Sequence, residues 1–184
     1  MTLGLILGLG APALWVGILA MSDRQPGHGP WPPRQGNLLT AIWAWGLTAL
    51  IYVGLLRIWI GPPLLPDAVR LGLGLPLAVL GSVLHGWATA ALGLKATSGW
   101  DFGVVISGPY GLSRHPQYLG QIVSLWGLVL IIATGPALAI GLAATIALLY
   151  AARVEDRALA ARHPARFAAI SAHIPFLLPI PSRP

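Results

Sequence analysis

The chain has no cysteine. Disulfides, thiolate metal sites and cysteine nucleophiles are therefore excluded. Charge is also scarce. Only 9% of the 184 residues are charged, against about 25% in a soluble domain. Acids are the scarcest, with Asp23, Asp67, Asp101, Glu155 and Asp156 making up the whole set. Histidines stand at 28, 85, 115, 163 and 173, never at the i,i+3 or i,i+4 spacing of a helical ligand pair. The acids do not complete a ligand set either, so no metal site is expected.

What remains is apolar. Hydrophobic residues make up 56% of the chain, and the mean hydropathy is +0.76. This is the composition of an all-α integral membrane protein, whose side chains face lipid or other helices. The length suits a single domain, 1–184, within which residues 1–68 hold two spans and residues 69–184 the rest. The formal charge of +6 could serve a nucleic-acid partner, but the cations sit at segment ends rather than in a patch. No nucleic acid is expected.

Five spans are legible. Residues 2–21 are uncharged and, at about 1.5 Å per residue, cross a hydrocarbon core about 30 Å thick. No basic stretch precedes them, and the run is long for the apolar part of a signal peptide. Residues 22–37 hold four prolines and three glycines, which forbid a continuous helix. Residues 38–60 read as a second span, with Trp43, Trp45, Tyr52, Arg57 and Trp59. After a turn at 61–67, residues 69–94 read as a third. Its Gly72, Gly74, Gly81 and Gly86 admit a neighbouring helix or a ligand. A polar loop covers 95–116. The fourth span runs from 117 to 134, Gly135-Pro136 makes a short turn, and the fifth runs from 137 to 153 and continues as a charged helix. These last two are expected to form an antiparallel hairpin. The Pro-rich tail from His173 is expected to be irregular.

The basic residues fix an expected orientation. Arg24, Arg34, Lys95, Arg114, Arg153, Arg157, Arg162, Arg166 and Arg183 fall on one face, and only Arg57 and Arg70 on the other. By the positive-inside rule the first face is cytoplasmic. The N-terminus is then outside and the C-terminus inside.

One stretch on that face, residues 107–120 (SGPYGLSRHPQYLG), is rich for a connector. Pro116 holds His115 extended and suits the first turn of a helix. Free amides at that helix start would attract an anionic group, with Arg114 and His115 adding donors. Equally, Arg114 could be a membrane anchor and His115 a cap. Glu155 and Asp156 are the only adjacent acids. Either could pair with Arg114 or meet a ligand, or both could make i,i+4 pairs with Arg153, Arg157 or Arg162. His85 could bridge helices or face a pocket. Asp101 could pair with Lys95 or reach a ligand.

Gly108-Pro109-Tyr110, Arg114-His115-Pro116-x-Tyr118-x-Gly120, Glu155-Asp156 with Leu159, and Ile174-Pro175 with Pro179 resemble the isoprenylcysteine carboxyl methyltransferase and phospholipid methyltransferase superfamily. The resemblance spans roughly residues 70–180. It implies a small helical membrane enzyme that uses S-adenosylmethionine. Tyr110, His115, Tyr118, Gly120, Glu155 and Asp156 would form the cofactor site, and Arg114 would lie near the reacting centre. Gly72-Leu73-Gly74 is similar to a Gly-x-Gly element of phosphatidylethanolamine methyltransferases. The chain departs from the pattern at Asp156, where Glu is usual, at His163-Pro164 for Phe-Gly, and at Phe167 and Ile170 for tyrosines. His173 stands where carboxyl methyltransferases have arginine. A carboxylate acceptor is thereby disfavoured, and His173 becomes a candidate base toward an amine, thiol or hydroxyl.

The resemblance thus points to methyl transfer onto a lipophilic acceptor from the bilayer. A phospholipid amine comes first, then an isoprenylcysteine-type carboxylate or a small thiol. A membrane sterol-type reductase using NADPH has a similar Arg-His-Pro-x-Tyr segment and is a rival reading. A non-catalytic membrane scaffold is another.

Overall fold

A computed structural model describes residues 1–58, 61–101 and 103–178. Trp59, Pro179 and Arg183 lie outside the described residues. The helices are α1 (Thr2–Asp23), α2 (Leu38–Arg57), α3 (Asp67–Leu92), the single turn α4 (Leu94–Thr97), α5 (Pro116–Ile132), α6 (Gly135–Arg162) and α7 (Pro164–Ser171). A 3-10 turn covers Gly108–Gly111. There is no strand among the described residues. Four helices (α1, α2, α3 and α6) are long and apolar enough to cross a membrane, and α5 is a shorter apolar one. The protein is an integral membrane protein.

Local chemistry sets the helix ends. Asn37 caps α2 by accepting the Thr40 amide at 2.9 Å. Pro116 opens α5 at the expected place. The turn between α5 and α6 lies at Ala133 and Thr134 rather than at Gly135-Pro136. Ala133 is left-handed (φ 51°), and Thr134 accepts the Ala137 amide, so Gly135 and Pro136 already belong to the first turn of α6.

The main contact of α5 is with α3 rather than with α6. Small residues explain this. A Cβ on Gly81 would meet Ser124 N at 2.2 Å and Gly120 O at 2.6 Å. One on Gly127 would meet Ala78 N at 2.3 Å. Backbones this close exclude side chains from the seam. The opposite face of α3, with Leu73, Leu80 and Val83 exposed, is what lipid would cover. A second block packs α1 and α2 against α6, around Trp15, Leu19, Leu55, Ile140 and Leu148.

Long-range polar contacts gather the loops at one end. Arg162 donates to the Gly27 carbonyl at 2.9 and 3.0 Å and to the Pro32 carbonyl at 2.7 Å. Arg157 pairs with Asp23, and Trp45 donates to Ser98 at 3.0 Å. Loop 24–37, loop 93–115, α7 and the tail therefore share one end of the bundle. Helix α6 is about 42 Å long at 1.5 Å per residue. About 20 of its residues suffice for the hydrocarbon core, so the helix is longer than a crossing needs.

Candidate functional site

A cavity of about 150 Å³ opens at that loop-bearing end. It is lined by Tyr110 from the 3-10 turn, Arg114 and His115 from the loop, Tyr118 from α5, and Glu155, Asp156 and Leu159 from α6. Six of the eight expected site residues thus meet on one wall. The cause is the pairing of α5's first turn with the last turns of α6.

The two acids have separate partners. Asp156 receives a two-point fork from Arg114, with Nη2 at 2.8 Å and Nε at 3.3 Å. His115 Nε2 stands 2.8 Å from Oδ1, the same oxygen that Arg114 Nε reaches. Glu155 accepts from the Tyr118 hydroxyl at 2.5 Å and from Trp31 Nε1 at 3.0 Å. His115 Nδ1 lies 3.8 Å from Glu155, so one buried imidazole spans both carboxylates. The i,i+4 reading of the acids does not hold, because both acids bond residues outside α6, while Arg157 reaches Asp23 and Arg162 reaches loop 24–37 and Asp101.

Arg114 also ties down the tail. Its Nη1 donates to the Ile174 carbonyl at 2.7 Å, and its backbone amide to Pro175 O at 3.0 Å. Phe176 then packs edge-on against His115 at 5.1 Å. Tyr110 lies buried near Glu155. Burial first, then the Glu155 charge, raises its phenol well above the ordinary value, so it stays a hydroxyl.

Two expected site residues are elsewhere. Gly120 does not line the cavity. A Cβ there would meet His85 N at 2.5 Å and Gly81 O at 2.8 Å, so its role is helix contact with α3. His173 is exposed and outside the lining. The tail is pinned through Ile174 and Pro175, which turns Phe176 rather than His173 toward the site. Gly72 meets open space and Gly74 packs on Gly127 and Ile131, so neither lines the cavity.

Asp101 pairs with Arg162 (3.5 Å) and His163 (3.4 Å) instead of Lys95, and accepts the Gly103 amide at 2.8 Å. Burial pushes its carboxyl up, but these three partners outweigh it and hold it below the usual carboxylate value. His85 both bonds α5 and lines the cavity. Among the described residues, no group of three or more His, Asp and Glu is placed to hold a metal.

Sequence reasoning missed the contribution of the first two helices and the loop between them. Trp15, Trp31, Ala44, Trp45 and Thr48 all line the cavity. The Trp31–Glu155 bond joins residues 124 apart. Only the tryptophan richness of residues 31–45 hinted at it. Gln117 was missed as well. It donates to Thr89 at 3.0 Å and Thr97 at 2.7 Å, fixing α4 over the cavity.

Comparison with known proteins gives one family. The family model described as phospholipid methyltransferase matches residues 69–166. No curated protein and no solved structure matches the chain.

Proposed function

Because the chain belongs to the phospholipid methyltransferase family, we propose that it transfers a methyl group from S-adenosylmethionine to a lipophilic acceptor, first a phospholipid amine. The family membership supports a membrane methyltransferase. The cofactor and the acceptor are our reading.

The observation that carries it is the shared wall of the cavity. The Arg114-His115-Pro116-x-Tyr118 segment and the Glu155-Asp156 pair converge there, although about 40 residues separate them in sequence. The cavity's residues fit a zwitterionic sulfonium cofactor in kind. Tyr110, His115 and Tyr118 offer polar groups, Glu155 negative charge toward a cation, and Leu159, Val104 and Val105 an apolar surface. Bound there, the cofactor supplies an electrophilic methyl group.

The chain's own residues position and desolvate. Arg114 neutralises Asp156 and locks the tail over His115. Trp31 and Tyr118 hold the Glu155 carboxylate in one orientation. Trp31 lies outside residues 69–166. The N-terminal pair of helices is therefore part of the working unit in this reading, within one domain. The polar loops and the site lie on the cytoplasmic side, the N-terminus outside, and the acceptor arrives from the bilayer.

A tritiated-methyl assay on whole lipid extract tests this. Label is expected in the amine phospholipids. Label confined to thiols or to base-labile methyl esters would move the acceptor to the alternative classes.

A further inference from the structure

The cavity holds a second imidazole, on α3 rather than in the loop. His85 is half-buried and lines the cavity. Its Nδ1 lies 3.2 Å from the Gln117 carbonyl oxygen. A carbonyl oxygen only accepts, so Nδ1 carries the proton of that bond. In the neutral ring Nε2 is then left with a lone pair. No partner of Nε2 is found among the described residues. The backbone beneath is fixed, since Gly120 lets α5 approach His85 N.

The other titratable groups of the cavity are engaged. Asp156 takes Arg114 and His115, and Glu155 takes Tyr118 and Trp31. Asp101 takes the Gly103 amide and faces Arg162 and His163. Tyr110 remains a hydroxyl. The polar neighbours on α5 and α2, Gln117, Gln121 and Thr48, do not titrate.

We propose that His85 Nε2 is the general base that removes a proton from the acceptor, a step that the ammonium group of an amine phospholipid requires and a carboxylate does not. This deepens the proposed function and rests on it. An ammonium has no lone pair, so it must lose a proton before attack. A carboxylate at neutral pH needs no such step. The balance is simple. The S–CH3 bond of the sulfonium breaks and its electron pair stays on sulfur. The ammonium proton goes to His85 Nε2, and the N–CH3 bond then forms from the freed amine lone pair, leaving a methylated ammonium.

The test is His85→Asn. The Asn side-chain amide reaches the position of Nδ1–H and can still donate to Gln117 O, while Nε2 is lost. The protein is assayed in phosphatidylethanolamine vesicles with S-adenosylmethionine across pH. Wild-type kcat is expected to fall as the medium is acidified and to level off at higher pH. The variant should bind S-adenosylmethionine as wild type does, lose about 100-fold or more in kcat, and regain part of it with added imidazole. A readout free of turnover is ¹⁵N NMR of histidine-labelled protein without cofactor. One Nδ1–H imidazole should disappear in the variant. Unchanged kcat and pH profile, or His85 seen as the Nε2–H tautomer, overturns the base alone. Wild-type protein that neither binds S-adenosylmethionine nor turns over overturns the function reading, and this proposal with it.

Discussion

Arg114 and Asp156 are joined at two points, Nη2 to Oδ2 at 2.8 Å and Nε to Oδ1 at 3.3 Å, while the same guanidinium holds the Ile174 carbonyl. One side chain thus couples α6 to both the loop and the tail. Lysine cannot reproduce a planar fork. Arg114→Lys is expected to free the tail, seen as faster proteolytic cleavage after residue 171. Asp156→Ala leaves Arg114 only the Ile174 carbonyl and, for a pair that is not fully buried, is expected to cost no more than about 3 kcal/mol in thermal unfolding in detergent. Cleavage at the wild-type rate in Arg114→Lys would contradict the coupling.

Gly120 tests a different link, from backbone approach to packing. Gly120→Ala puts a methyl group 2.5 Å from His85 N. It is expected to destabilise by about 1–3 kcal/mol. Gly86→Ala, which meets nothing within 4 Å, should be neutral or slightly stabilising. Equal unfolding temperatures for the two variants would contradict the α3–α5 seam.

These cases show what the sequence could carry. Span positions, the start of α5 and the loop's importance follow from local signals: apolar length, Pro116 and the residue types of the loop. The meeting of Tyr118 with Glu155 was legible only through resemblance, since the residues are 37 apart. Gly120 was ambiguous because glycine serves a ligand or a neighbouring helix equally well, and only the position of His85 decides. Trp31 was illegible as a site residue because its partner lies 124 residues away, beyond α2, α3, α4 and α5.

Asp101 gives a pH dependence. Its folded value lies below the ordinary one, so its stabilising contribution is present above the unfolded value and lost as pH falls through the folded one. Asp101→Asn should be less stable than wild type at neutral pH, with the gap closing below about pH 4. Unfolding temperatures measured at both pH values check this. A gap that persists in acid would contradict the pairing with Arg162 and His163.

His173 is exposed and outside the cavity. His173→Ala is expected to keep turnover within about twofold, the scatter of surface substitutions near 0.5 kcal/mol. A large loss in kcat would restore it as the base.

The central claim is that the wall shared by His115, Tyr118 and Glu155 holds a sulfonium cofactor. Calorimetric titration of the purified protein with S-adenosylmethionine and, separately, NADPH tests it most directly. Saturable binding of S-adenosylmethionine is expected, weakened at least about tenfold, or 1.4 kcal/mol, by Glu155→Gln. Saturable binding of NADPH with none of S-adenosylmethionine would contradict the account in favour of a reductase, and binding of neither would favour a scaffold.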